Sequence, residues 1–93
     1  MIISFADRET QKIFHQEMSA KLPASIQSVA LRKLILIDQA EGLADLRVPP
    51  GNHLEALAGD RAGQFSIRIN DKYRICSKPV QGGFAEVEIV DYH

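Results

Sequence analysis

The 93-residue chain has little of several features that mark specialised classes of protein. It contains one cysteine, Cys76, so no internal disulfide can form and no zinc-binding cysteine spacing exists. This favours a reducing compartment, and we expect a cytoplasmic protein. No apolar run approaches the ~20 residues that a membrane span needs, so no membrane association is expected. The first five residues lack the basic lead of a signal peptide.

The chain also lacks a surplus of charge, with a formal net charge of −1. This argues against a strongly basic nucleic-acid binder, so a surface that binds nucleic acid must arise from the arrangement of basic groups on one face. The hydrophobic content of 45% and the charged content of 25% are ordinary for a globular domain. The length predicts a single domain over residues 1–93.

Three runs of alternating apolar and polar residues between Gln64 and His93 are typical of half-buried strands. We expect hairpin loops at residues 70–72 and 79–83, because these loops pair like with like across the strands. The expected pairs are Ile69–Tyr73, Ile67–Ile75, Arg68–Arg74, Tyr73–Ile89, Ile75–Val87 and Arg74–Glu88. The other face would then carry polar groups and Cys76: Gln64, Ser66, Arg68, Arg74, Cys76, Lys78, Glu86 and Glu88.

The first half of the chain has helical spacing of apolar residues. It predicts a helix from Arg8 to about Ser19 and a second from Ala24 to Gln39, joined by a short connection typical of an antiparallel pair. Further candidates are a turn at residues 43–46, a strand at residues 53–58 and an edge strand at residues 2–5. The expected fold is α+β, with two N-terminal helices packed on the apolar face of a twisted antiparallel sheet of three to four strands.

The sequence finishes on Asp91-Tyr92-His93, an acid, a phenol and an imidazole, which are residue types that proton transfer uses. On an ideal strand Tyr92 would point to the polar face while Asp91 and His93 point the other way. Arg74 also has a purely structural interpretation, because an arginine opposite Glu88 can form an ordinary cross-strand ion pair.

Several segments together resemble the HigB toxins of the RelE/ParE superfamily of toxin–antitoxin systems. They are Pro49-Pro50-Gly51-Asn52-His53-Leu54-Glu55, Gly59-Asp60-Arg61-Ala62-Gly63, Ser66-Ile67-Arg68-Ile69-Asn70-Asp71, Tyr73-Arg74-Ile75 and Val87-Glu88-Ile89-Val90-Asp91-Tyr92-His93. The resemblance implies a RelE-like fold and a ribosome-dependent endoribonuclease that cuts mRNA in the A site without a metal or another cofactor. It also implies a HigA-like helix-turn-helix antitoxin, with operator DNA bound only through the toxin–antitoxin complex.

The resemblance also implies roles for individual residues. The implied catalytic residues are His93, Asp91, Tyr92, Arg74 and Glu55. The implied RNA-binding residues are Arg61, Arg68, His53 and Lys72. Some relatives have His where Glu55 stands here and Lys where Ala58 stands, so either Glu55 or His53 is left to take part in proton transfer. Which residue is the base and which the acid is open.

Two other functions fit the same pattern. A ParE-like toxin of this fold would poison DNA gyrase by binding, and the terminal Asp-Tyr-His argues against it. A non-catalytic partner of a DNA-binding protein would act only within a repressor complex. An activity assay is needed to separate that third function from the nuclease.

Overall fold

The computed structural model describes residues 1–91 of the chain, and within them it is an α+β fold. The helices are α1 (Arg8–Phe14) and α2 (Ala24–Gln39), and the strands are β1 (Glu55–Ala56), β2 (Phe65–Arg68), β3 (Tyr73–Val80) and β4 (Gly83–Asp91). Short 3-10 helices span Leu43–Arg47, Pro50–Asn52 and Gly59–Arg61. Among residues 1–91, no helix is long and apolar enough to cross a membrane.

The predicted bounds of α2 are confirmed, whereas α1 ends earlier than Ser19. The N-terminus of α1 is capped by the carboxylate of Asp7, which accepts from the backbone N–H of Thr10 at 2.8 Å. Past the end of α1, Gln16 takes the left-handed conformation at φ 63°, which stops the helix. The side chain of Gln27 then binds both the N–H and the carbonyl of Ser19, at 3.2 and 2.9 Å, so these groups are satisfied without a longer helix.

The sheet is antiparallel in the order β1-β2-β3-β4, and its first predicted hairpin is confirmed. Ile67 lies opposite Ile75, and Arg68 lies opposite Arg74. Asn70 Oδ1 accepts from the backbone N–H groups of Lys72 and Tyr73 at 2.9 and 2.8 Å. This side chain thereby stabilises the three-residue loop that the alternation predicts.

The predicted register of the second hairpin is wrong by two residues. Strand β3 continues through Pro79, the loop is Gln81-Gly82, and Ile75 lies opposite Ile89 instead of Val87. In the same register, Arg74 lies opposite Val90 and not Glu88, and Tyr73 lies opposite Asp91 and not Ile89.

A β-bulge explains why the two faces of β4 are nevertheless as predicted. A two-residue loop alone would set Glu88 opposite Ile75, because Val80 is opposite Gly83. The register shifts between Cys76 and Lys78, and Glu86 on the facing strand is in the left-handed conformation at φ 54°. The extra residue restores the alternation and keeps Phe84 as well as Val87 in the core.

The helices cover one face of the sheet, as expected for an amphipathic pair on a half-apolar sheet. The buried cluster joins residues of α1, of α2 and the position after it, and of the 3-10 helix Leu43–Arg47 to residues of the strands: Ile13, Ile26, Ala30, Leu34, Ile37, Ala40, Leu46, Ile67, Ile75, Phe84, Val87 and Ile89. Two isolated parallel bridges, Ile2 with Phe84 and Phe5 with Val87, place the predicted N-terminal edge segment beside β4.

Candidate functional site

The polar face of the sheet lies opposite the helices, but it is less exposed than the alternation predicts. Ser66, Arg74 and Cys76, predicted to be solvent-facing, are all buried, with exposures of 1, 7 and 0%. Ser66 and Cys76 are direct cross-strand partners, and Glu55 and Glu88 continue the same row onto β1 and β4. This row defines the centre of the candidate site.

Arg74 is held in the sheet by several hydrogen bonds. Its Nε donates to Ser66 Oγ at 2.7 Å, and its Nη2 donates to the carbonyl oxygens of His53 and Ser66. Its Nη1 lies 3.8 Å from Glu55 Oε1. The guanidinium fork therefore connects β2, β3 and the segment before β1, and brings a cation beside a half-exposed carboxylate.

The predicted strand over residues 53–58 is shorter than expected, and this changes the place of His53. Strand β1 is only Glu55–Ala56, and His53 is left-handed at φ 45°, at the end of the 3-10 helix Pro50–Asn52. His53 lies outside β1 and therefore does not share a strand face with Glu55, which a strand over residues 53–58 would have required. Its imidazole is exposed, while its carbonyl accepts from Arg74.

Arg61 reaches across the polar face to Glu88. Its Nη2 donates to Glu88 Oε1 at 3.0 Å and its Nη1 donates to Gln64 Oε1 at 3.0 Å. The hydrogen bond to Glu88 raises the pKa of the Arg61 guanidinium, since it favours the charged form. The expected partner of Glu88 was Arg74, so the structure corrects this pairing.

The sulfur of Cys76 lies in the middle of this face and is shielded from solvent. Burial raises the pKa of the Cys76 thiol, so the reactive thiolate is disfavoured at neutral pH. The position is thus consistent with a packed strand residue on which Arg61 and Glu88 act electrostatically.

The remaining predicted RNA-binding cations lie near the β2–β3 hairpin. Arg68 forms an ion pair with Asp71, and Lys72 Nζ lies 3.6 Å from Asp91 Oδ2. The same ammonium is 5.7 Å from the ring centroid of Tyr73, within the range of a cation–π contact. Asp91 is thereby joined to the hairpin, on the side of the sheet that carries its cross-strand partner Tyr73 and not on the polar face.

The predicted catalytic residues Tyr92 and His93 lie outside the described residues. Their convergence with Arg74 and Asp91 therefore stays a prediction. Among residues 1–91, the structure brings Glu55 to Arg74 and brings Lys72 to Asp91.

Three polar partners in this site were placed on the polar face by the alternation but were not predicted as site residues: Ser66, Gln64 and Glu88. In the confirmed register of the first hairpin, Ser66 lies two residues before Arg68 and diagonally across from Arg74. The hydrogen bond between Ser66 and Arg74 could therefore have been predicted from that register. The cross-strand position of Glu88 could be predicted only if the position of the β-bulge was known. Gly82, at φ 90° in the loop Gln81-Gly82, was the signal that could have located the second loop, because glycine favours turn positions with positive φ.

Comparison with known proteins assigns the sequence to a family. Residues 3–93 match the family model described as the RelE-like toxin of type II toxin–antitoxin system HigB. The chain is 37% identical over 83 residues to Toxin HigB-1 of Vibrio cholerae serotype O1, an overlap that covers 88% of this chain and 87% of that protein. The chain belongs to the HigB-like toxins of the RelE-like family.

A second relative of this HigB-like toxin comes from Haemophilus influenzae and is described only as an uncharacterized protein. It is 41% identical over 59 residues, covering 63% of this chain and 58% of the relative. Membership of a type II toxin–antitoxin family implies an antitoxin partner. The α+β architecture with two helices on one face of an antiparallel sheet agrees with the RelE-like fold.

Proposed function

We propose that this HigB-like toxin is a ribosome-dependent mRNA endoribonuclease that acts in the ribosomal A site of the cytoplasm. The observation that carries the proposal is the pairing of Arg74 with Glu55, 3.8 Å apart, on the sheet face that lies opposite the helices. A cation to bind a phosphate thus lies beside a carboxylate that can accept a proton.

The reaction we propose is attack of a 2′-oxygen on the adjacent phosphorus. A base removes the 2′-proton, an acid protonates the leaving 5′-oxygen, and cations stabilise the charge that develops on the phosphorane. The products would be a 2′,3′-cyclic phosphate and a 5′-hydroxyl. Each proton-transfer group typically contributes ~10²- to 10⁴-fold, and donors aimed at the developing charge contribute a comparable amount.

Arg74 suits the phosphate role because its Nε and Nη2 are fixed by Ser66 and His53 while its Nη1 is directed to the Glu55 side. A preorganised guanidinium needs little rearrangement when charge develops. Glu55, with 49% of its side chain exposed, is accessible to a substrate hydroxyl. His93, Asp91 and Tyr92 remain the proposed partners at the C-terminal end, by their match to the family pattern.

The partners that complete the proposal are a HigA-like helix-turn-helix antitoxin, the ribosome with its mRNA, and operator DNA reached through the toxin–antitoxin complex. Arg61, Arg68 and Lys72 are proposed to contact the RNA backbone, and His53 is a candidate for contact through its exposed imidazole.

The proposal is tested in a translating extract with a defined mRNA, by mapping the 5′ ends of transcripts with and without ribosomes. We expect new 5′-hydroxyl ends only when ribosomes are present. Glu55→Gln and His93→Gln should each reduce cleavage by about 10²-fold or more, because each removes a group proposed for proton transfer.

Glu86→Gln is the matched control, because Glu86 is exposed on β4 and is not one of the proposed catalytic groups. It should cleave like the wild type. Intact mRNA in the presence of ribosomes, together with trapped gyrase–DNA cleavage complexes, would favour the gyrase poison instead. Full activity of both Glu55→Gln and His93→Gln would refute the residue assignment.

A further inference from the structure

Each of the four cations proposed to face the RNA backbone is paired with a carboxylate in the free protein. The pairs are Arg61–Glu88, Arg68–Asp71, Lys72–Asp91 and Arg74–Glu55. A phosphate that approaches any of these cations meets a carboxylate of the same sign as itself. The near-neutral charge of the chain is therefore also present locally, around the cations that would bind RNA.

Glu88 differs from Asp71 in its low exposure, and from Glu55 and Asp91 also in having no proposed part in proton transfer. It is the least exposed, at 28% against 45–96%, so solvent screens its charge least. It also lies outside the group proposed for proton transfer, to which Glu55 and Asp91 belong. Its hydrogen bond of 3.0 Å occupies Nη2 of Arg61, while Gln64 occupies Nη1.

We propose that Glu88 is a specificity-determining residue that competes with RNA phosphate for Arg61 and so weakens binding to free RNA. The proposal rests on the proposed function, because it concerns the RNA-binding face of that site. A phosphate must either displace the carboxylate or share the guanidinium with it. RNA that is held by a second surface, such as the ribosome, suffers less from this competition because it is already positioned.

Arg61 is suited to such an exchange. It extends from the 3-10 helix Gly59–Arg61 across the sheet to β4, and 38% of its side chain is exposed. Carboxylate and phosphate oxygens bind the guanidinium fork in the same manner, so one can replace the other. Removing the charge of Glu88 while keeping its shape should leave Arg61 with one unopposed positive charge.

The experiment measures fluorescence anisotropy of a short, fully 2′-O-methylated, fluorescein-labelled oligoribonucleotide across a series of salt concentrations. The probe has no free 2′-hydroxyl, so binding is read without cleavage. We expect Glu88→Gln to bind about two- to fivefold more tightly at low salt, the range of an exposed ion pair. The slope of log affinity against log salt should steepen by about 0.7, the value of one further phosphate contact on a single strand.

Two further variants make the test specific. Glu86→Gln removes the same charge from the same strand and should bind like the wild type. Glu88→Gln introduced into an Arg61→Gln chain should bring no gain, because the competed cation is absent. Circular dichroism melts establish that each variant is folded at the assay temperature.

Unchanged or weaker binding by folded Glu88→Gln overturns the inference, and so does an equal gain in Glu86→Gln or in the Arg61→Gln background. If the wild type cuts ribosome-bound mRNA but Glu88→Gln binds the probe no more tightly, the inference fails alone. If Glu88→Gln gains affinity as expected but the wild type cuts no mRNA, the charge competition stands and the proposed reaction fails.

Discussion

The two faces of the sheet are buried by different means. On one face, Ile67, Ile75 and Ile89 are 1, 0 and 6% exposed because apolar side chains of the helices pack on them. On the other face, Ser66, Arg74 and Cys76 are equally buried, but Arg74 and Ser66 are satisfied by hydrogen bonds to side chains and carbonyls. The first face is stabilised by the burial of apolar surface. The second face is stabilised by directional hydrogen bonds that fix individual polar side chains.

The largest expected effect tests the helical face. Leu34→Ala should lower the free energy of unfolding by about 2–5 kcal/mol, because it leaves a cavity at a fully buried position of α2. Its neighbour Ile35 is 39% exposed, so Ile35→Ala should cost well under half as much. Urea unfolding of the two variants measures both values. Equal losses would contradict the assignment of the buried side of α2.

A smaller effect is expected on the polar face. Ser66→Ala removes the acceptor of the 2.7 Å bond from Arg74 Nε and should lower the free energy of unfolding by about 1.5–3 kcal/mol, since the donor is charged and buried. Ser28→Ala, on the exposed side of α2, is the control and should be close to neutral. If Ser66→Ala is as harmless as Ser28→Ala in urea unfolding, hydrogen bonding does not stabilise this face.

The smallest effect concerns a charged group inside the helical layer. Lys33 on α2 is 8% exposed and its ammonium donates to Asn52 Oδ1, and burial lowers the pKa of Lys33 from 10.5. The folded protein therefore binds fewer protons than the unfolded chain between that lowered pKa and pH 10.5, and the contribution of Lys33 to stability rises with pH through this window.

Urea unfolding at neutral and alkaline pH, compared between wild type and Lys33→Met, measures this contribution. The wild type should gain stability relative to Lys33→Met as pH rises toward 10.5. The raised pKa of Cys76 acts in the opposite direction, but both proteins contain it, so the difference isolates Lys33. If the wild type gains no stability relative to Lys33→Met over this pH range, the role of burial is contradicted.

The comparison of the faces also explains what the sequence could predict. Alternation and helical spacing located α2 to the residue and gave the register of Ile67 with Ile75, because both depend on a simple period. The second register failed because it depends on a bulge at Glu86, an irregularity that a strict period of two cannot represent.

For the candidate site, the sequence named candidate residues but could not give their pairings. The likeness to HigB toxins named Glu55 and Arg74, which lie together, and Arg61, whose partner is Glu88. Alternation indicated only the direction in which a side chain points. Whether Arg74 is exposed or buried depends on His53, whose left-handed backbone turns its carbonyl toward the guanidinium. That conformation has no periodic signature.

The segment that runs beside β4 has one more consequence, for self-association. Open sheet borders expose unpaired amides that can recruit another chain. Here the border of β4 is occupied by residues 1–6, which exchange hydrogen bonds with Phe84 and Val87. An added Cβ at Gly83 would lie 2.0 Å from the Met1 oxygen, so a side chain there would push this segment away. With only Glu55–Ala56 at the opposite border, the molecule offers little template for edge-to-edge aggregation.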